Sequence, residues 1–557
     1  AGARVPTQMA LRATCGMHAI GSLQNQETVL SPYRFSYIVC QEGKRPPNPA
    51  FWWVREKGEE VKWTFEELSY LTRKTANVLS EACNLCKGDR LLMILPRVPE
   101  WWLLSLACIR TGIVFIPATI LLTAPDILYR LQQSKVTCIV ASEATAPLVD
   151  AVGSECSWLK TRILVSKSHK REGWQNFHDL LQAASDQHQP VQTKHLDPMI
   201  IYFTSGTMGY PKMVQHSHSS LGFGMASVAR EWMDLTSSDI VWGLSDPGWI
   251  KFAVGSFFGP WSQGSCIFQH GFLHIKRGFF PFTQHLAKYP VTTFCGTPTI
   301  FRMLLQHNAS RYKFKSLRTC VGGGEPCSVD LLKEWKAETG FDIGEAYGQT
   351  ESSLLCCSRK GLKIKPGFIG KPLSGVDVRI IDENNNCLPP GEEGDIAVKI
   401  KPQRPVGLFT GYVNDPEKTA ATERGDYYIT GDRGLMDEDG YVQFIARADD
   451  IILSSGYRIG PFEVEYALMK HPAVAEAAVV SSPDPIRGEV VKAFIILTPA
   501  YQSQDREKLS LELQGHVKKI TAPYKYPRKI EFVQDLPKTI SGKIKKRLLR
   551  KKEWETA

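Results

Sequence analysis

Between residues 64 and 140 the chain alternates helical and extended patterns across short connections, and this limits the possible folds more than any other feature. Thr64-Phe65-Glu66-Glu67 is a capping box, after which Leu68, Leu71, Thr75 and Val78 recur at helical spacing until Gly88 stops the pattern. Residues 91–95 then read as a buried strand, 101–110 as a helix, 113–116 as a strand, 126–133 as a helix and 136–140 as a strand. Strands that alternate with crossover helices pair in parallel and bury both faces, so a doubly wound sheet is expected. A second series of this kind runs over 240–343, with a strand at 291–294 and a helix at 330–339.

Beyond Gly375 the pattern changes to short strands at 376–381 and 394–399 around turn residues 382–386, which is antiparallel β character. From Arg447 a compact module follows, with helices at 461–469 and 506–520 and strands at 475–480, 490–497 and 529–533. The expected fold is α/β: a large N-terminal domain of doubly wound sheets plus a β-rich subdomain, and a small, mobile α+β C-terminal domain. The boundaries implied are a leader over 1–45, the large domain over 46–446 and the small domain over 447–557.

A chain of 557 residues is too long for one core, and 43% hydrophobic with 22% charged residues is ordinary for globular protein. The net charge of +10 favours anionic ligands in general. Its densest basic run, Lys543, Lys545, Lys546, Arg547, Arg550, Lys551 and Lys552, has no interleaved aromatics, so it reads as a solvated face and no nucleic-acid partner is expected. The most apolar region, 103–122, contains Arg110, Gly112 and Pro117, which excludes an uninterrupted membrane helix there. The 14 cysteines lack regular spacing, and Cys83-x-x-Cys86 has neither a second pair nor nearby histidines, so buried thiols of a reducing compartment are expected. The pairs Trp52-Trp53 and Trp101-Trp102 read as packing residues. The first 26 residues hold Arg4 and Arg12 and no acid, a composition shared by mitochondrial transit segments and by disordered leaders.

One stretch carries chemistry by itself. Residues 198–203 form a short apolar strand that runs into Thr204-Ser205-Gly206-Thr207-Met208-Gly209-Tyr210-Pro211-Lys212. Two glycines free the backbone to bend, hydroxyls and bare N–H groups can converge on an anion, and Lys212 adds positive charge, which together suit a polyphosphate. The spacing is not that of the P-loop, where Lys directly follows a glycine five positions from the first.

Four more stretches follow in order: Glu345-Ala346-Tyr347-Gly348-Gln349-Thr350-Glu351, Tyr428-Ile429-Thr430-Gly431-Asp432, Arg447 through Arg458, and Pro537-Lys538-Thr539-Ile540-Ser541-Gly542-Lys543. The ordered set resembles the adenylate-forming superfamily of acyl-CoA synthetases, luciferases and peptide-synthetase adenylation domains, over nearly all the chain after residue 45. Leu95-Pro96-Arg97-Val98-Pro99-Glu100-Trp101-Trp102, Asp126-Ile127-Leu128-Tyr129-Arg130-Leu131-Gln132, 454–461, 482–494 and 521–529 look most like the mitochondrial medium-chain acyl-CoA synthetases.

That resemblance implies a carboxylate and Mg-ATP giving an acyl-adenylate and pyrophosphate, then CoA giving the thioester and AMP. It implies ATP contacts from 204–212, 345–350, Asp432, Arg447 and Lys543, with Tyr347 facing adenine and Asp432 the ribose. Lys543, Thr350 and Glu351 are the implied catalytic set, Glu351 as the Mg²⁺ ligand. Asp449 is the implied hinge about which the small domain exchanges Lys543 for the loop around Gly456. CoA contacts fall on Ser455, Gly456, Tyr457, Arg487, Tyr526, Pro527 and Arg528, and the acyl substrate on Trp249, Gly323, Thr350 and Arg458. The family also implies the mitochondrial matrix, a medium-chain acid as substrate and a possible homo-oligomer. Two departures stand out: Met208 replaces a small hydroxyl residue, and Leu453 occupies an often polar position. The alternatives are a sister ligase for aromatic or other acids, and a nucleotide- or acyl-binding protein without catalysis.

Overall fold

A computed structural model describes residues 48–555 except 56–57, 168, 205–210, 223, 272–279, 308, 326, 455–456, 486, 522 and 540–541. Residues 1–47, the centre of the glycine-rich stretch, and Ser455 and Gly456 therefore lie outside the described residues.

The first sheet has eight strands in the order Gly411–Tyr412, Lys212–Ser217, Pro198–Thr204, Val114–Ala118, Arg90–Ile94, Cys138–Ser142, Thr161–Val165 and Gln175–Asn176. From Pro198–Thr204 to Gln175–Asn176 the neighbours are parallel, and the strands at the other end are antiparallel. The second sheet has nine strands, with a parallel centre formed by Ile343–Gln349, Thr319–Gly323, Thr293–Gly296, Ile240–Gly243, Cys266–His270 and Phe51–Val54. Where the two sheets meet, Trp101 and Trp102 are fully buried; Trp101 packs edge-on against Phe252 at 4.7 Å and Phe257 at 5.3 Å. The tryptophan pair is thus core packing.

Val378–Ile381, Gly394–Lys399, Tyr427–Met436, Glu423–Arg424 and Val442–Arg447 make the antiparallel subdomain. Asp382 accepts from the N–H groups of Asn384 and Asn386, both at 2.8 Å, which fixes the turn after its first strand. In the C-terminal module, the hairpin Val474–Asp484 and Gly488–Leu497 carries Lys529–Phe532 in parallel and packs with the helices Pro461–Met469 and Lys546–Glu555.

Several boundaries move for identifiable reasons. The first helix is α-helical only over Phe65–Asn77 and then widens into a π turn, Val78–Ala82, while Gly88 sits in a later turn at φ 90°. The strand expected at 291–294 forms at Thr293–Gly296, because the Val291 N–H is still turned back onto the Tyr289 carbonyl at 2.8 Å. The basic C-terminal run is only partly solvated: Lys546 pairs with Glu465 at 2.8 Å and Arg550 donates to the Asp449 carbonyl.

Candidate active site

The carboxyl ends of parallel strands collect ligands in open α/β sheets, and the motif residues gather there. Tyr347, Gln349 and Asp432 form one network. The Tyr347 hydroxyl donates to Asp432 Oδ2 at 2.5 Å, and Gln349 Nε2 donates to the same oxygen at 2.7 Å and to the Thr430 carbonyl at 2.8 Å. Tyr428 closes it by donating to Gln349 Oε1 at 3.1 Å. Asp432 is 3% exposed; its Oδ1 accepts no hydrogen bond and lies 3.3 Å from the Arg447 guanidinium. Burial raises the Asp432 pKa and Arg447 counteracts it. A buried carboxylate oxygen left open in this way suits a hydroxyl donor from a ligand.

Gly348 stands at a bulge where the strand Ile343–Gln349 pairs with Ser353–Cys357. A Cβ there would lie 1.8 Å from the Ser353 carbonyl oxygen, so only glycine lets the strands approach. Gly323 is confined less severely, since a Cβ on it would lie 3.0 Å from the Ala346 carbonyl oxygen. Burial pushes the Glu345 carboxyl up to about 7, and the Cys327 N–H donates to it at 3.2 Å.

At the phosphate end, Thr204 pairs with Lys212 across the glycine loop, and the Pro211 carbonyl accepts from Tyr129 at 3.0 Å. Lys212 Nζ lies 4.9 Å from the centre of the Tyr412 ring, whose hydroxyl donates to Glu351 at 2.8 Å. Desolvation lowers the Lys212 pKa, while Glu351 acts to raise it. The Thr350 carbonyl accepts from His216 Nε2 at 2.6 Å, which leaves Nδ1 to accept from Ser220 at 3.0 Å. Burial holds His216 down at about 4, so the ring is neutral and carries its proton on Nε2. Neither His216 nor Tyr412 belongs to a sequence motif; Tyr412 reaches the site because Gly411–Tyr412 pairs with Lys212–Ser217, and His216 stands on that strand opposite Ile200.

Glu351 is a single carboxylate near Lys212, and a lone carboxylate suits Mg²⁺ held chiefly by nucleotide oxygens and water. Among the described residues no three carboxylate, histidine or cysteine side chains cluster to form a cage without the nucleotide.

From the small module, Gly542 at φ 85° turns the chain so that the Thr539 N–H donates to the Lys543 carbonyl at 2.7 Å. Lys543 is exposed as a whole residue. Desolvation lowers its pKa first, Glu325 opposes this, Arg447 adds to it and Asp432 opposes it. Lys543, Asp432 and Arg447 are therefore within electrostatic reach of one another. Asp449 faces Arg447 at 3.4 Å.

Trp249 caps the helix Ile250–Ser256, its N–H bonded to Asp246 at 3.1 Å. Leu453 and Arg458 pair across the strands Ile452–Ser454 and Tyr457–Ile459. Leu453 is 53% exposed. Away from the Lys543 cleft in sequence, Arg528 stacks on Tyr526 at 4.8 Å and donates to its hydroxyl at 2.6 Å, beside buried Pro527, while Lys518 sits 4.0 Å over the same ring. Arg487 lies in the turn closed by its N–H to Asp484 at 2.9 Å.

An α/β body with nucleotide-type motifs along one sheet edge and a small module reaching over it defines a recognised class. The AMP-binding enzyme model matches residues 41–413 and the AMP-binding enzyme C-terminal domain model matches 463–543, and the chain belongs to this family. It is 60% identical over 92% of its length to the human mitochondrial acyl-coenzyme A synthetase ACSM3, covering 87% of that protein. It is 59% identical over 93% of its length to rat mitochondrial ACSM4, covering 89% of that one. Among solved structures it superposes on the anthranilate CoA ligase AuaEII in complex with anthranoyl-AMP with TM-score 0.85 at 26% identity, covering 96% of this chain and 99% of that one. An acyl-CoA synthetase of Brucella canis matches with TM-score 0.71 at 33% identity over 95% of each chain.

Proposed function

We propose that the chain is a medium-chain fatty acid–CoA ligase of the mitochondrial matrix. It converts a carboxylate and ATP to an acyl-adenylate and pyrophosphate, then uses CoA to form the thioester and release AMP. A carboxylic acid with a pKa of about 4 to 5 is an anion at neutral pH and resists nucleophiles, so it must first gain a leaving group. AMP is that group. The observation that carries the reading is the Lys543 ammonium, on the small module, within electrostatic reach of Asp432 and Arg447.

In this reading Asp432 accepts from the ribose hydroxyls with its open Oδ1, and Tyr347 offers its ring to adenine beside Glu345, Ala346, Gly348 and Gln349. Thr204 to Lys212 cradle the phosphates, and Thr350 orients the α-phosphate and carboxylate. Lys543 and Arg447 stabilise the charge that grows as the carboxylate oxygen attacks. When bound through Glu351, Mg²⁺ neutralises phosphate charge. The module then turns about Asp449, withdrawing Lys543 and presenting the Ser455–Gly456–Tyr457 turn and Arg458. Arg487, Arg528, Tyr526 and Pro527 hold the nucleotide end of CoA. Trp249 and Gly323 shape the acyl end.

The reading is tested by acid-dependent exchange of labelled pyrophosphate into ATP, together with thioester formation, over acids from butanoate to dodecanoate and benzoate. It expects both, with a medium-chain optimum. A benzoate optimum favours the sister-ligase reading; no exchange with any acid overturns catalysis and supports a binding protein, for which Met208 is the sequence feature.

A further inference from the structure

Lys251 has no place in the family motifs, yet it reaches the centre of the site. It is the second residue of the helix Ile250–Ser256, where Phe252, Ala253 and Val254 are all buried apolar residues. Its side chain extends to the carboxyl ends of two adjacent parallel strands, donating to the Gly296 carbonyl and, at 2.7 Å, to the Gly323 carbonyl. Gly324, at φ 93°, packs against the lysine stem, whose Cδ lies 4.0 Å from where a Cβ on that glycine would be. An ammonium has three N–H groups. Among the described residues no protein acceptor takes the third.

Lys251 also lies within electrostatic range of Lys543, so two ammonium groups, one from each domain, share the same crevice. The nearby Glu325 does not cancel them alone, being engaged with Thr299 at 2.7 Å and near Arg302 at 3.7 Å. Like charges in a partly desolvated crevice repel unless an anion enters between them. Lys212, Arg447 and Asp432 surround the nucleotide end, whereas Lys251 follows Trp249 and touches Gly323 at the acyl end. The anion it fits is the substrate carboxylate.

We propose that Lys251 is a second substrate cation: it ties the Gly296 and Gly323 carbonyls and donates its remaining N–H to the carboxylate that Lys543 meets from the other domain. This rests on the ligase reading above. Lys251→Gln keeps an amide donor for the carbonyls and removes the charge; Lys251→Met removes both.

The test compares octanoate with its uncharged counterpart 1-octanol, using calorimetric binding and, for octanoate, the apparent KM in pyrophosphate exchange. Both variants are expected to weaken octanoate by about tenfold or more, the scale of one charge-assisted hydrogen bond. The ATP KM stays within about twofold and 1-octanol binding stays unchanged. In wild type the octanoate KM rises with alkaline pH as Lys251, which faces Cys295, Glu325 and Lys543, and Lys543 lose their protons, and the glutamine variant keeps only the part set by Lys543. Equal loss of octanoate and 1-octanol would show that Lys251 only shapes the pocket and overturns the proposal. So does an unchanged octanoate affinity in Lys251→Gln. Absence of exchange in wild type instead counts against the ligase reading, and the binding comparison still decides the role of Lys251.

Discussion

Tyr466 and Lys470 belong to the small module, and Asp330 opens the helix Val329–Thr339 of the large one. The Tyr466 hydroxyl donates to Asp330 Oδ2 at 2.9 Å, and Lys470 Nζ lies 3.3 Å from the same oxygen. In the proposed reading, a turn of the module about Asp449 that withdraws Lys543 breaks this triad, so the triad would weight the adenylating arrangement. A sheltered hydrogen bond to a carboxylate contributes about 1.5–3 kcal/mol. The Asp330 and Lys470 side chains keep 57% and 36% of their surface, so the hydroxyl is discounted to about 0.5–1.5 kcal/mol and the ion pair to about 0.5 kcal/mol or less. Tyr466→Phe should therefore shift the balance of module positions by about twofold to tenfold. Pyrophosphate exchange falls by that factor, while thioester formation from supplied acyl-adenylate and CoA holds or rises. The Tyr466 hydroxyl, more than Lys470, holds the Asp330 carboxyl below its ordinary pKa. The triad is thus intact above the usual carboxylate range and is lost as pH falls through the lowered value, so the wild-type advantage narrows in acid. Equal changes in both half-reactions, or none in either, would refute the argument.

Lys543→Ala should abolish exchange but spare thioester formation from supplied acyl-adenylate, and Gly456→Trp should do the reverse; a parallel loss of both steps in either variant defeats the division of labour. Asp432→Asn puts an amide where Tyr347 and Gln349 already donate, and should raise the ATP KM by about tenfold to a hundredfold with the acid KM little changed. His216 is held at about 4 in the fold against an ordinary 6.5, so the unfolded chain binds the extra proton first and stability falls as pH drops between those values, by about 3 kcal/mol. Urea midpoints at pH 7 and pH 4.5 should differ less in His216→Gln, which still donates to the Thr350 carbonyl; an unchanged difference shows that other groups govern acid stability.

What was legible in the chain was local. The helices expected at 461–469 and 506–520 match Pro461–Met469 and Arg506–Ile520, because Pro461 sits in the first turn of one and Asp505 caps the other by accepting from the N–H groups of Glu507 and Lys508. The strand at 394–399 matches too, its centre, Ile396, Ala397 and Val398, buried on both faces. What was not legible came from partners distant in sequence. Tyr412 meets Glu351 only after the sheet brings 411–412 onto 214–215, and His216 meets Thr350 only once its strand lies against Pro198–Thr204, and no pattern near either residue announces it. Lys251 is hidden for a similar reason: a single lysine among apolar helix residues reads as snorkelling to solvent until the strand ends it reaches are known.

The charges of the site link its chemistry to its motion. Lys212, Lys251, Arg447 and Lys543 face a crevice in which Asp432 is buried, Glu325 is shared with Arg302 and Glu351 is taken by Tyr412. Holding Lys543 there desolvates an ammonium among like charges, which costs free energy that ATP and a carboxylate together offset. Once the acyl-adenylate has formed and pyrophosphate has left, most of that negative charge is gone while the cations remain. In the proposed reading, the adenylating position of the module then loses its electrostatic support just when the thiol needs access, so the first half-reaction itself would favour the turn that permits the second.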